Sequence, residues 1–118
     1  MFNPNIKMFI IAKDKKDLAT GLIESKVRYH VEDKEDLYEI YVEMPGIERE
    51  SLKIYVSDKV IRISGEPKKK FPFLKGPYRV SINLDETINS EKVKAKYEDG
   101  ILTITAYKRE MARRIPVE

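Results

Sequence analysis

The sequence predicts an all-β fold: an immunoglobulin-like antiparallel β-sandwich, with a short N-terminal arm before it and an extended C-terminal tail after it. Two observations carry the prediction. Between residues 26 and 108, apolar and polar residues alternate in short runs, the two-residue period of a strand with one buried face. Turn-forming clusters such as Met44-Pro45-Gly46, Ser57-Asp58 and Asp99-Gly100 separate these runs, a spacing that suits a sandwich. The turn residues differ from loop to loop, so there is no internal repeat.

The elements follow in order. Residues 1–25 form the arm, whose apolar patch comprises Phe2, Ile6, Met8, Phe9, Ile10 and Ile11. Leu18, Leu22 and Ile23 stand at helical spacing and predict a short helix over residues 14–24, with Gly21 a weak point inside it. Residues 26–108 form the sandwich. Val27, Tyr29 and Val31 alternate with polar residues, and the polar stretch 33–36 turns the chain. Tyr38, Ile40 and Val42 then share one face of a strand that Met44-Pro45-Gly46 ends. Leu52, Ile54 and Val56 alternate next, and Ser57-Asp58 leads into Val60-Ile61-Arg62-Ile63. Prolines and lysines mark residues 67–77 as a loop. Tyr78, Val80, Ile82 and Leu84 make another run, and Val93, Ala95 and Tyr97 the next. Asp99-Gly100 is a strong hairpin signal before residues 101–106.

Residues 109–118 form the tail, ending Arg113-Arg114-Ile115-Pro116-Val117-Glu118. Proline fixes its own φ and pushes the preceding residue toward extended geometry. Residues two apart on an extended stub point the same way, so Ile115 and Val117 present two apolar knobs on one side. A charged link connects them to the sandwich, and six residues at 3.3–3.6 Å each reach roughly 20 Å. A plug on such an arm suggests docking into a groove.

Composition bounds the function. The chain has 118 residues, 42% hydrophobic and 36% charged, which reads as one soluble domain with a small core that association would help. No apolar run approaches membrane-spanning length. Phe9-Ile10-Ile11-Ala12 is too short for a signal-peptide core and lacks a cleavage site after it, so a cytoplasmic location is expected. With no cysteine there is no disulfide, thiolate metal site or Cys nucleophile. Lys+Arg 23 against Asp+Glu 20 gives a net charge of only +3. Abundant Lys, Arg and Glu without Cys or Trp would suit a thermophile. Neither G-x-x-x-x-G-K-S/T nor G-x-G-x-x-G occurs, and no nucleophile–base–orienter set is legible. Catalytic, cofactor and metal residues are therefore expected to be none. His30, beside Tyr29 in a strand, reads as a surface residue rather than a base. The pairs Asp85-Glu86 and Glu98-Asp99 read as solvated turns. Lys68-Lys69-Lys70 with Phe71 and Phe73 has the chemistry to contact single-stranded nucleic acid, but reads better as a gatekept loop with hydrophobic anchors.

Three motifs line up: Val42-Glu43-Met44-Pro45-Gly46-Ile47 running to Glu50-Ser51-Leu52-Lys53-Ile54, then Ile63-Ser64-Gly65-Glu66, then Ala95-Lys96-Tyr97-Glu98-Asp99-Gly100-Ile101-Leu102 ahead of the Ile-Pro-Val end. This series resembles the small heat shock proteins (Hsp20/α-crystallin domain family), from about residue 26 to residue 117, and suggests an archaeal or thermophilic member. The family's strand after the long loop often carries an arginine where Val80 stands, with Arg79 one position early, and a proline where Asp85 stands. Many members extend that loop and swap a strand from it into a partner. Residues 67–77 are short for this, and Pro72 cannot donate to a ladder.

The resemblance implies an ATP-independent holdase chaperone that binds partly unfolded client proteins and works as a dynamic homodimer or higher homo-oligomer. It implies Ile115 and Val117 as the oligomer anchor and a tail-accepting groove between the strand of Leu52, Ile54 and Val56 and the strand of Val93 and Ala95. Phe2, Ile6, Phe9, Ile10 and Ile11 would make a client-binding arm. No nucleic acid, membrane or cofactor is expected. The alternative is a p23-like co-chaperone, a monomeric adaptor on the same sandwich, for which the terminal plug has no obvious use.

Overall fold

The computed structural model describes residues 26–69, 72 and 76–110. The N-terminal arm with its predicted helix, and the Ile-Pro-Val end, lie outside the described residues. Seven strands follow one another: β1 (Arg28–Asp33), β2 (Leu37–Glu43), β3 (Lys53–Val56), β4 (Val60–Gly65), β5 (Tyr78–Asn83), β6 (Ile88–Glu98) and β7 (Ile101–Lys108), with a 3-10 turn at Arg49–Ser51 before β3. They form a four-stranded sheet ordered β1-β2-β7-β6 and a three-stranded sheet ordered β3-β4-β5, and every pairing is antiparallel.

Alternation sets the layers. On β2, Tyr38, Ile40 and Val42 stand opposite Ala106, Ile104 and Leu102 of β7, and all six are buried. On the other sheet Ile54 pairs with Ile63, and Ile61 with Ile82, again all buried. The two apolar faces make one core. The intervening residues, such as Glu39, Lys94, Lys96 and Thr103, face away from it. Fully burying a side chain of this size contributes about 1.5–3 kcal/mol, so the facing rows are what hold the layers together.

Two turns place the connections. Asp99 (φ 55°) and Gly100 (φ 79°) both adopt left-handed backbone, as a two-residue type I′ hairpin requires. Gly100 also lies under Pro45, where an added Cβ would stand 3.3 Å from that residue's Cα and Cβ. Gly46 (φ 78°) turns the chain after Pro45 as it crosses from one sheet to the other. The crossing is fastened by tyrosines. The Tyr97 hydroxyl donates to the Met44 carbonyl at 2.5 Å and accepts the Ile47 N–H at 3.3 Å. The Tyr78 hydroxyl donates to the Pro45 carbonyl at 3.3 Å, and the Met44 N–H donates to the Gly100 carbonyl at 2.9 Å. Burial, with Tyr97 and Glu43 nearby, pushes the Tyr78 phenol above its ordinary pKa.

Some boundaries differ from expectation. β6 starts at Ile88, well before Val93, with a register shift between the two. Asn89-Ser90-Glu91-Lys92 carries no apolar alternation, and a bulge removes the period that would reveal it. Leu84 is buried but lies beyond β5, its N–H bonded to the Lys59 carbonyl at 2.7 Å. Gly65 has a packing role: an added Cβ would come within 3.0–3.1 Å of Ile47, Leu52 and Met44.

Candidate functional site

Each sheet has an edge on the same side of the sandwich. β3 is an edge of the three-stranded sheet and β6 an edge of the four-stranded one. Two contacts join the segments that flank β3 to the two ends of β6. The Ile88 N–H at the start of β6 donates to the carbonyl of Asp58, just past the end of β3, at 2.8 Å. At the other end of β6, the Tyr97 hydroxyl accepts from Ile47, ahead of β3. The two edge strands thus run in opposite directions between these contacts and belong to different sheets.

What lines this seam divides in two. Leu52 (0% exposed), Ile54 (2%) and Ala95 (3%) belong to the core. Val56 and Val93 are half-buried and pack against the core from outside. Of the five residues expected to form a groove, three are core residues and two are half-buried. Alternation reports that residues share a face; it does not report whether the opposing sheet already covers them.

The end of the seam near Asp58 is a cluster of charges. Lys108, at the end of β7, donates from Nζ to Asp33 Oδ1 (2.7 Å), the Lys34 carbonyl (2.6 Å) and Glu86 Oε2 (2.9 Å). Its ammonium also sits 4.8 Å from the Tyr38 ring centroid. Although its acceptors are exposed, its own side chain is only 11% exposed. The hydrogen bond it donates to Asp33, then that to Glu86, holds this amine well above the usual lysine pKa. Arg109 follows: its N–H donates to the Thr87 carbonyl at 2.8 Å and its Nη2 to Asp58 Oδ1 at 3.2 Å. None of this was legible in advance, because the partners of Lys108 are as far as 75 residues away in sequence.

Other sequence candidates are not gathered into a site. His30 is exposed, its ring stacked on Tyr41 at 6.4 Å and 23° and its Nε2 3.7 Å from Glu32. Tyr29 and Tyr41 are exposed beside it. Lys68 and Lys69 are exposed, while Lys70, Phe71 and Phe73 lie outside the described residues. Among the described residues no three His, Asp or Glu side chains come together as metal ligands, and no helix is long and apolar enough to cross a membrane.

Comparison with known proteins places this arrangement. The chain is 29% identical over 101 residues to small heat shock protein C2 of Rickettsia felis, covering 77% of this chain and 66% of that protein. It is 34% identical over 82 residues to an 18.0 kDa class I heat shock protein of Daucus carota, covering 60% and 52%. The chain thus spans between about half and two thirds of the length of these curated relatives. They are bacterial and plant proteins, which lends no support to the thermophilic lean of the composition. Among solved structures, heat shock protein 16.0 from Schizosaccharomyces pombe matches with a TM-score of 0.67 at 21% identity, over 80% of this chain and 77% of that one. HSP18.5 from E. histolytica matches with a TM-score of 0.61 at 25% identity, over 77% and 95%. Residues 30–118 match the Hsp20/alpha crystallin family, and the chain belongs to that family, the small heat shock proteins.

Proposed function

We propose that this protein is an ATP-independent holdase that captures partly unfolded proteins and works as a dynamic homo-oligomer, without enzymatic activity and in the cytoplasm. Family membership supports a chaperone role. The observation that carries the finer reading is the open β3/β6 seam, whose two half-buried valines, Val56 and Val93, offer seats for the two same-sided knobs of the tail, Ile115 and Val117. Leu52, Ile54 and Ala95 back these seats as part of the core. The apolar arm residues Phe2, Ile6, Phe9, Ile10 and Ile11 are the proposed client surface.

Magnitudes make the assembly reversible. Burying an Ile and a Val contributes roughly 1.5–3 kcal/mol each, and ordering the tail consumes much of it. A single tail contact is weak; many in a closed assembly reinforce one another through effective concentration. Subunits then exchange without the whole coming apart, and heat shifts the population toward smaller, stickier species.

The test pairs two measurements. Ile115→Ala with Val117→Ala leaves the sandwich folded and shrinks the native mass by light scattering, and the parent chain suppresses thermal aggregation of a model client without ATP. An unchanged mass would count against the anchor, and unsuppressed aggregation against the holdase. A parent that is a single chain at every concentration would favour the monomeric, p23-like adaptor instead.

A further inference from the structure

The outer faces of the two sheets differ in charge. On the four-stranded sheet acids and bases are interleaved and pair with one another: Arg28 with Glu43, Lys34 with Glu39, and Lys96 with Glu98. The strands of the other sheet, β3, β4 and β5, contain no Asp or Glu. Their charged residues are Lys53, Arg62 and Arg79, and the pleat turns all of them to one side. Ile54, Ile61, Ile63 and Ile82 belong to the core, so the residues between them face away from it. Carboxylates adjoin this sheet in its connections: Glu48 and Glu50 ahead of β3, Asp58 after it, Glu66 after β4, and Asp85 and Glu86 after β5. Arg109 takes Asp58, and Lys108 takes Glu86. A net charge of only +3 hides this segregation, because it averages over both sheets.

The register gathers the face into two rungs. Lys53 stands opposite Ser64, and Ser64 opposite Arg79. Tyr55 stands opposite Arg62, and Arg62 opposite Ser81. With strands about 4.8 Å apart and same-face residues about 6.6 Å apart along a strand, the cations form a triangle about 8–10 Å on a side. That is about one Debye length at physiological salt, so their potentials add. The Arg62 guanidinium lies 5.6 Å from the centroid of the Tyr55 ring, which sets an aromatic surface among the cations. Ser81 and Asn83 are exposed beside them and supply hydroxyl and amide groups for hydrogen bonding. Among the described residues, neither Lys53 nor Arg62 has a carboxylate partner.

We propose that the outer face of β3, β4 and β5 binds a single-stranded polynucleotide. Lys53, Arg62 and Arg79 take the phosphates, the arginines with a planar fork that matches them. Tyr55 and Arg62 together offer a flat surface on which a base stacks. The ring decides the class of partner. An acidic peptide would use the cations and leave Tyr55 idle. An anionic bilayer calls for apolar side chains that enter it, whereas the exposed residues of these strands are Ser81 and Asn83. The face is assembled from residues spread between 53 and 83, so no run in the sequence displays it.

Fluorescence anisotropy of the full-length protein tests this. The probe is a labelled oligouridylate of about 20 nucleotides, longer than the roughly 4–16 that one β-barrel module covers. Expected is binding that weakens between about 50 and 200 mM salt, with a logarithmic slope near −2 for three neutralised phosphates. Arg62→Gln should weaken binding and make the slope shallower by about 0.7. Tyr55→Leu, which keeps the bulk of the side chain, should weaken binding about five- to ten-fold with the slope unchanged, and Tyr55→Phe should bind as the parent does. Lys96→Gln removes the same charge from the opposite sheet and should change neither affinity nor slope. Equal losses from Lys96→Gln and Arg62→Gln would trace binding to net charge and overturn this face as the site. Parent affinity in Tyr55→Leu would overturn base stacking, and with it the single strand. Polyglutamate or phosphatidylserine vesicles competing as well as unlabelled oligouridylate would assign the face to that partner instead. No binding at the lowest salt would overturn the proposal outright.

Discussion

The two ends of β6 are fastened by different chemistry. Near Tyr97 the fastenings are neutral: a phenol bonded to two backbone groups of the crossing segment, with Gly100 tucked under Pro45. Near Ile88, ion pairs join the backbone bonds of Ile88 and Arg109: Lys108 among Asp33 and Glu86, and Arg109 on Asp58. Neutral bonds in a packed setting respond little to salt or pH, whereas exposed ion pairs respond to both. The first end behaves as a fixed point and the second as a fastening that solution conditions loosen.

This contrast can be broken from either side. Gly100→Val at the neutral end should have the largest effect. A β-branched residue at positive φ costs about 1–2 kcal/mol in backbone conformation alone, and its Cβ meets Pro45 at 3.3 Å, so chemical denaturation should show a loss of about 2 kcal/mol or more. Tyr97→Phe comes next. It removes the acceptor of the Ile47 N–H and the donor to the Met44 carbonyl, and about 1–3 kcal/mol should be lost, equally at low and high salt.

Lys108→Met tests the ionic end by pH. The folded pKa of Lys108 is raised above its ordinary value of 10.5, so its stabilisation is fully present below that value and lost as pH rises through the folded one. The parent should lose stability above about pH 10.5, and the variant should show a shallower decline over that range in thermal melts. Some decline should remain, because burial raises the Tyr78 pKa from 10.0 and ionising that phenol also opposes folding. A variant with the parent's alkaline slope would contradict the role given to Lys108. The smallest effect belongs to Arg109→Ala. Its partner Asp58 is 74% exposed and Arg109 itself 50%, so the loss should stay under about 1 kcal/mol and vanish in about 1 M salt.

The sandwich was legible because both of its devices are local. Period-two alternation marks Tyr38, Ile40 and Val42 as one face, and Asp99-Gly100 adopts the two positive φ values its residue types favour. The bulged start of β6 was hidden by four polar residues without a period. The burial of Met44 and Ile47 was hidden because they flank a turn rather than sit in a strand. The burial of the residues expected to line a groove was half legible: alternation marks their faces, but the share of Leu52, Ile54 and Ala95 that the core takes depends on the opposing sheet. The ionic fastening was invisible, since residue type alone does not say which of 20 carboxylates a given cation will meet.

The hairpin at Asp99-Gly100 has a consequence beyond closing two strands. It holds Val93 opposite Ala106 and Ala95 opposite Ile104, with Lys94 and Lys96 turned outward. Slipping that pairing by one position inverts every side chain of the strand. One inserted residue at the bend would therefore turn Lys94 and Lys96 toward the side that Val93 and Ala95 now hold, setting ammonium groups against an apolar core.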